Sequence, residues 1–580
     1  MGFDVRKRPT IYSFCTWWSL FLSAVLASET ETVSESDVIV VGAGQAGMAA
    51  AHHLSGLGHA VRVLEATDHV GGRTRNMDVG SGRMDVATDD VIELGGTWFS
   101  PMHTAALSLC KELGISVYNA SFTDAPDRAE SAAVPGRRAE AEQIAGIVED
   151  LPWWFWGAEY PADQMALLAN TVYHGAGGRS LFRTPAEFIA RFANLSLAEL
   201  GRAKKVIGRA VRELGEKCWD VDGITPAWRR YDADTTGGFL RDQVKSEEAR
   251  QVLRNCIHDH NAQEPEAVSF LYNIMSLKGC NSGGPDNQFR VRGGTQAIPL
   301  AVAAMLGDNV SLRSPVRSVL ARPGPVAGGV TVHTQDGRQY HAAAVVVTGP
   351  PPVVLAIDFT PPLPGAQAQL LQRMPMGTSL KFAAVYRQGP WWRELGLQGD
   401  ILATALPQDL SMREPGDEGI PLFVECYDHS PFSRRLGVVV CFVEGRQNLY
   451  FTSLPSAMQQ ALMLAFLRQS FNDSRAESFG PTFVAHDWKD QPYARGAYTG
   501  FFTPGVQSVP EYWHAYKEME KLPGVFLAGS DYHTGFGNGY IEGAIRSGKR
   551  AAELVHARLT TQRVSASSEK VTPESSVVMI

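Results

Sequence analysis

Apolar residues fall along this chain in two kinds of pattern. Val38 to Val41 is a continuous β-branched run, the mark of a strand buried on both faces. Met48 to Leu57 is Ala-rich and apolar and predicts a helix, with Gly58 as its stop. Val61 to Leu64 predicts the next strand, and Thr104 to Leu113, closed by Gly114, another helix. Further strands are predicted at Val310 to Leu312, Val316 to Leu320, Val330 to Thr334, Tyr340 to Val347 and in the apolar run from Val525. Residues 160–275 read as mainly helical, with capping sequences Thr184-Pro185-Ala186-Glu187 and Ser196-Leu197-Ala198-Glu199. Residues 353–495 read as mixed strands and helices. Residues 124–147 are charged and Ala-rich, a surface segment. In Pro152-Trp153-Trp154-Phe155-Trp156 four successive aromatics cannot all face one core from one helix. Beyond Thr560 the chain turns Ser-, Thr- and Val-rich, as a disordered tail would.

Glycines give the first strand and helix a chemical meaning. Gly42, Gly44 and Gly47 fill the pattern G-x-G-x-x-G between them. The first permits a tight turn, the second lets a pyrophosphate approach the backbone, and the third lets helix and strand pack closely. Glu65 stands at the end of the second strand, where a carboxylate can hold ribose hydroxyls. Strand, glycines, helix, strand and acid stand in the order a dinucleotide site requires, and this much fits NAD or FAD equally.

The residues that follow decide between them. Gly71-Gly72-Arg73-Thr74 resembles the second motif of the FAD-dependent amine oxidase family, in which the arginine binds the cofactor's phosphates. Glu93-Leu94-Gly95-Gly96-Thr97-Trp98 resembles the next motif, where backbone passes close to the flavin, which puts Gly95, Gly96 and Thr97 at the cofactor. Val316, by the same resemblance, offers backbone bonds to the adenine. Arg373-Met374-Pro375-Met376-Gly377-Thr378-Ser379-Leu380-Lys381 is similar to the monoamine oxidase segment whose lysine holds a water against flavin N5, the position of Lys381. In Tyr493-Ala494-Arg495-Gly496-Ala497-Tyr498, Tyr498 matches the first tyrosine of that family's aromatic cage. Ala497 stands where the animal enzymes bond a cysteine to the flavin, so the resemblance implies non-covalent FAD. Val525 to Asp531 and Gly539 to Ala544 resemble the C-terminal FAD motif, with Gly529 and Asp531 at the cofactor, Asp531 in place of the usual glutamate, and Tyr540 as the second cage tyrosine. The stretch between Asp531 and Tyr540 is one residue longer than in the animal enzymes and lacks their tryptophan, for which Phe536 is the substitute. Tyr272 and Cys280 fall in a segment that lines the substrate cavity of monoamine oxidases.

The fold this implies is α/β: a Rossmann-type FAD-binding domain with a discontinuous α+β substrate-binding domain. The FAD domain takes residues 37–118, 285–349 and 496–557. The substrate domain takes 119–284, mostly helical, and 350–495, with a tail at 558–580. The activity implied is oxidation of an amine at its α-carbon, with O2 reduced to H2O2. An L-amino-acid oxidase, gripping a carboxylate with Arg495 or Arg290, and a flavin enzyme desaturating a carbon–carbon bond remain as alternatives. A flavin-bearing interaction protein without turnover is disfavoured by the presence of Lys381 and both tyrosines.

Composition bounds the partners. At 580 residues, two or more domains are expected, and 44% hydrophobic with 20% charged residues is globular. A net charge of −8 with no basic run in the body of the chain argues against nucleic acid. A homodimer is left open. The first 27 residues differ: Arg6, Lys7 and Arg8 precede the apolar stretch Ile11 to Ala27, as in a signal peptide, with an uncleaved anchor as the second reading. No apolar span in the tail is long enough for a C-terminal membrane anchor. Sequons at Asn119, Asn194, Asn309 and Asn472 agree with a glycosylated, secreted product. None of the seven cysteines forms a C-x-x-C pair, so no metal site is expected, and disulfide pairing stays open.

Overall fold

In a computed structural model the chain is described at residues 32–120, 171–175, 178–182, 209, 213, 226–276, 289–322, 329–403, 406–412, 420–423 and 425–569. The N-terminal apolar segment, the aromatic run at 152–156, both capping sequences, Asn194 and Cys280 lie outside these residues.

Two sheets carry the architecture. In the first, the strand Thr32–Val41 is central, pairing in parallel with Val61–Leu64 on one side and Gln339–Val347 on the other. Gln339–Val347 then forks. Its N-terminal half pairs antiparallel with Gly329–Thr334, and its C-terminal half pairs in parallel with Val525–Leu527. Outer strands Val316–Arg322, Asp358–Thr360, Val310–Ser311 and Glu520–Leu522 complete the sheet. The sides alternate as β geometry dictates: Val38 and Val40 face one core with Met48, Leu54 and Val555, while Ile39 faces the other with Val345 and Leu527. Helices Gln45–Gly56 and Ile541–Glu569 pack so closely that a methyl group on Gly548 would lie 2.1 Å from the Ala46 carbonyl oxygen.

The second sheet runs Thr482–Asp487, Ser379–Tyr386, Gly437–Glu444, Glu425–Asp428, Ile401–Ala403, Thr171–Gly175, Gly178–Phe182. Ser379–Tyr386 and Gly437–Glu444 are buried at every position, and one face builds a core with Phe382, Trp392, Phe451 and Phe466. Cys426 and Cys441 oppose each other on adjacent strands and form a disulfide.

Three expectations change. Within the stretch 160–275 read as mainly helical, Thr171–Gly175 and Gly178–Phe182 are strands of the second sheet; they pair with each other, and Thr171–Gly175 also pairs in parallel with Ile401–Ala403, distant in sequence. Asp358–Thr360, expected within the substrate domain at 350–495, pairs instead with Val316–Arg322 in the first sheet. The tail begins later than 558, since the final helix runs on to Glu569.

Candidate functional site

The first-sheet crossover builds a cradle for a dinucleotide. Gly42 has φ +102°, and a Cβ there would meet Thr348 Oγ1 at 2.6 Å. At Gly47 a Cβ would lie 1.9 Å from the Gly42 carbonyl oxygen, so helix and turn can approach this closely only with glycine. Gly44 is open, with nothing nearer than 3.8 Å to its missing Cβ. It caps the helix without a side chain, leaving first-turn N–H groups for an anion. Glu65, at the end of Val61–Leu64, accepts from Ala43 N (2.6 Å) and from Thr67 N and Oγ1 (both 2.8 Å), which fixes its carboxylate beside the turn. Val316 opens its strand opposite Thr334.

Arg73 joins the cradle to two distant segments. Its guanidinium grips Asp531 bidentately (2.9 and 2.5 Å) and donates to the Tyr498 carbonyl (2.8 Å). Asp531 also accepts from Thr499 Oγ1 (2.9 Å) and Gly500 N (2.8 Å). Burial pushes the Asp531 carboxyl up, but the Arg73 ion pair and these donors outweigh it and hold the group below the usual range. Gly529 (φ +155°) donates to Ser547 Oγ at 3.0 Å and turns the chain toward this pair. The position of Asp531 is therefore that of an anchor for Arg73 and the 498–500 segment.

Lys381 sits mid-strand in the second sheet, 4% exposed. Its Nζ donates to Gly95 O (2.6 Å), Thr97 Oγ1 (2.9 Å) and Glu93 O (3.2 Å), and lies 5.2 Å from the Trp98 ring centre and 5.1 Å from that of Phe442. Three of the residues expected near a flavin, Gly95, Thr97 and Lys381, are thus brought together. Gly96, next to them, faces Ile541. Burial pulls the lysine down to about 7, Glu93 opposing and Arg290 assisting.

Behind the lysine lies a buried charge triad that the sequence reading missed. Glu93 accepts from Arg290 Nη2 (2.6 Å) and pairs with His429 Nε2 (2.9 Å). Burial works against Glu93, yet Arg290 and His429 hold it at about 2, and burial keeps His429 neutral at about 3. Arg290 also donates to Ser430 O at 2.9 Å.

Alternation along the strands places Ser379, Lys381, Phe442, Glu444, Glu425 and Tyr427 on one face, since Ser379 pairs with Glu444 and Lys381 with Phe442. Tyr498 approaches this face from a loop, its ring centre 6.2 Å from that of Phe442 and its hydroxyl donating to Glu444. Tyr427 likewise donates to Glu425, and Asp259 hydrogen-bonds Glu425. Asp259, Glu425, Tyr427 and Tyr498 retain accessible surface, yet burial leads the causes of every one of their shifts, all upward. All four thus share one largely desolvated sheet face that still admits solvent. Among these wall residues only Tyr498 was legible beforehand. The signal for Glu444 was a lone acid ending an apolar run, and for Glu425 a strand of alternating residues.

Tyr540 lies 5.7 Å from the His103 ring, which is 5.9 Å from Phe536. Tyr272 is buried against Phe502 (5.7 Å), in the core rather than on the sheet face.

Known proteins share this architecture. A putrescine oxidase structure with bound putrescine matches at TM-score 0.69 and 25% identity, covering 90% of this chain and 99% of that one. Putrescine oxidase of Kocuria rosea is 28% identical over 91% of this chain and 96% of its own length. The flavin-containing amine oxidase B of Sus scrofa is 26% identical (90% and 87%), and an L-amino acid dehydrogenase of Synechocystis 25% (90% and 95%). The model of the flavin containing amine oxidoreductases matches residues 45–556. With nearly the whole described chain inside that match, the protein belongs to the flavin-containing amine oxidoreductase family.

Proposed function

We propose that the chain oxidises an amine at its α-carbon to an imine, which water converts to a carbonyl compound and ammonia. The observation that carries this reading is the junction at Lys381, where the 93–97 segment, the lysine strand and the face bearing Tyr498 meet. Family membership implies FAD, and the residues present fit it: an open Gly44, free helix N–H groups, and Arg73 held ready by Asp531. When bound, FAD supplies the two-electron acceptor, with O2 then reduced to H2O2. The protein's own residues bind, orient and screen. The cradle and Arg73 hold phosphates, and the rings of Tyr498 and Tyr540 offer electron-rich faces to the amine nitrogen. Lys381 holds a proton at Nζ beside the backbone of Gly95, so positive charge is available where O2 takes up electrons. Ala497 offers no nucleophile for a covalent link, so acid precipitation should release FAD into the supernatant, and flavin retained in the pellet would refute non-covalent binding.

Amino-acid oxidation fits less well. Arg290 is committed to Glu93 and Ser430 O, and Arg495 donates outward to Pro352 O. Anaerobic flavin reduction over a panel of amines and L-amino acids tests this directly: reduction by amines alone is expected, and reduction by amino acids alone overturns it.

The same reading extends to location, since the Cys426–Cys441 disulfide and the surface position of Asn309 and Asn472 suit an oxidising, glycosylating compartment. The mature chain should begin near Ser28, and N-terminal sequencing that finds residues 2–27 intact would favour the anchor.

A further inference from the structure

Tyr498 has a weakness as an orienting ring. It belongs to no helix or strand, and it follows two residues at positive φ, Arg495 (+56°) and Gly496 (+135°). Its carbonyl is fixed by Arg73, but a carbonyl bond leaves the side-chain torsions free. The ring packs against the clusters of Phe442 and Trp488, and its polar anchor is the hydroxyl, which donates to Glu444 Oε1. Ser379 Oγ donates to the same oxygen at 3.2 Å. Ser379 lies two residues from Lys381 on one strand, so a single carboxyl oxygen joins the loop tyrosine to the lysine strand.

We propose that Glu444 is a positioning residue of the reaction: through the Tyr498 hydroxyl it sets the ring that meets the amine, and through Ser379 it locks that ring in register with Lys381. This rests on the amine-oxidation reading above.

A carboxyl 3% exposed at the end of an apolar strand is a costly choice unless its polar atoms are used. An apolar residue would fill the space equally well but would leave the buried Ser379 hydroxyl and the half-buried Tyr498 hydroxyl without this acceptor. The groups facing Glu444 are Tyr498 from the loop, Ser379 from the lysine strand, Glu425 from the neighbouring strand and Asp259 from the helix Glu247–Asn261, while His258 and Glu264 stand against the following Gly445. None of these is a cation paired to Glu444. Burial holds its carboxyl well above the usual range, with Glu425 adding to the shift and the hydrogen bonds from Tyr498 and Ser379 opposing it. While protonated, Glu444 offers Oε1 as a carbonyl-type acceptor to both hydroxyls; once ionised it is a carboxylate beside Glu425 and Asp259. The orientation of Tyr498 is thereby tied to a titrating group.

The test compares holoenzyme variants by stopped-flow absorbance under anaerobic conditions, using an amine shown to reduce the wild type. If no amine reduces the wild type, the amine reading fails and Glu444 is not at issue. Glu444→Leu removes the acceptor and is expected to slow flavin reduction tenfold or more, with the dissociation constant for FAD, measured by flavin fluorescence, within twofold of wild type. Glu444→Gln keeps an acceptor oxygen and should rescue most of that loss at pH 7, while removing the alkaline step expected in the wild-type reduction rate. Glu444→Leu combined with Tyr498→Phe should be no slower than the slower single variant, because both act through one hydrogen bond. Losses that multiply, a Gln variant as slow as the Leu variant, weakened FAD binding, or an alkaline step that persists in Glu444→Gln would each overturn the proposal. Should Glu444→Leu not fold, the presence or loss of that step in Glu444→Gln decides it.

Discussion

At Gly47 a single methyl group would lie 1.9 Å from the Gly42 carbonyl oxygen, whereas Lys381, deep in the second sheet, is surrounded by groups that arrive from two distant parts of the chain, residues 93–98 and Phe442. The nucleotide cradle works through backbone: open space at Gly44, exposed helix N–H groups, and a turn only glycine can make. The lysine face works through side chains whose properties come from burial: an ammonium pulled down to about 7, and carboxyls pushed up. One region is set by local steric rules, the other by the medium that the rest of the fold creates around it. Substitutions in the first should therefore act on binding and folding, and those in the second on rates and pH dependence.

The largest effect is expected at Gly47. Gly47→Ala drives a Cβ into backbone that cannot yield, so the variant should carry less than about a tenth of the wild-type flavin, read as flavin absorbance per protein, consistent with overpacking penalties of ~3 kcal/mol or more. Gly44→Ala, with free space at its Cβ, should fold normally and lose only FAD affinity. Equal damage at the two positions would break the steric account.

Next is Lys381→Met, which keeps the length and removes the charge. FAD loading and anaerobic reduction by amine should change little, while reoxidation by O2 slows by one or more orders of magnitude, since one charge in a dry site is worth ~3 kcal/mol. Unchanged reoxidation in a folded, FAD-loaded variant would make Lys381 a structural residue.

Asp531→Asn should come third. It leaves the Arg73 guanidinium without its carboxylate, and breaking such an enclosed pair costs ~3 kcal/mol. Thermal unfolding should shift downward and FAD bind more weakly. Wild-type stability in the variant would show that Arg73 does not depend on Asp531.

The smallest effect is a pH limb. Burial lowers the Lys381 ammonium from the ordinary lysine range to about 7, so its charge is present below that pH and fades as pH rises through it. Reoxidation measured against pH should fall across this window in the wild type and stay flat in Lys381→Met. A limb that survives the substitution assigns the titration to another group.

Sequence by itself determined the cradle, because its requirements are local: a β-branched run, glycines at fixed spacing and an acid at a strand end all lie within Val38 to Glu65. It also singled out Lys381, Tyr498 and Tyr540, through the motifs around them. Tertiary structure decided what surrounds those residues. Glu93, Arg290 and His429 meet across hundreds of positions, and no spacing rule links them. Asp259, Glu425 and Glu444 look like ordinary surface acids in the chain, and only strand register and enclosure turn them into a shared wall whose carboxyls burial pushes up. The hairpin Thr171–Phe182 was misjudged for the same reason, since its partner strand Ile401–Ala403 lies more than two hundred residues on. Periodicity and glycine spacing are properties of neighbours in sequence, while burial, pairing and proton affinity are properties of neighbours in space.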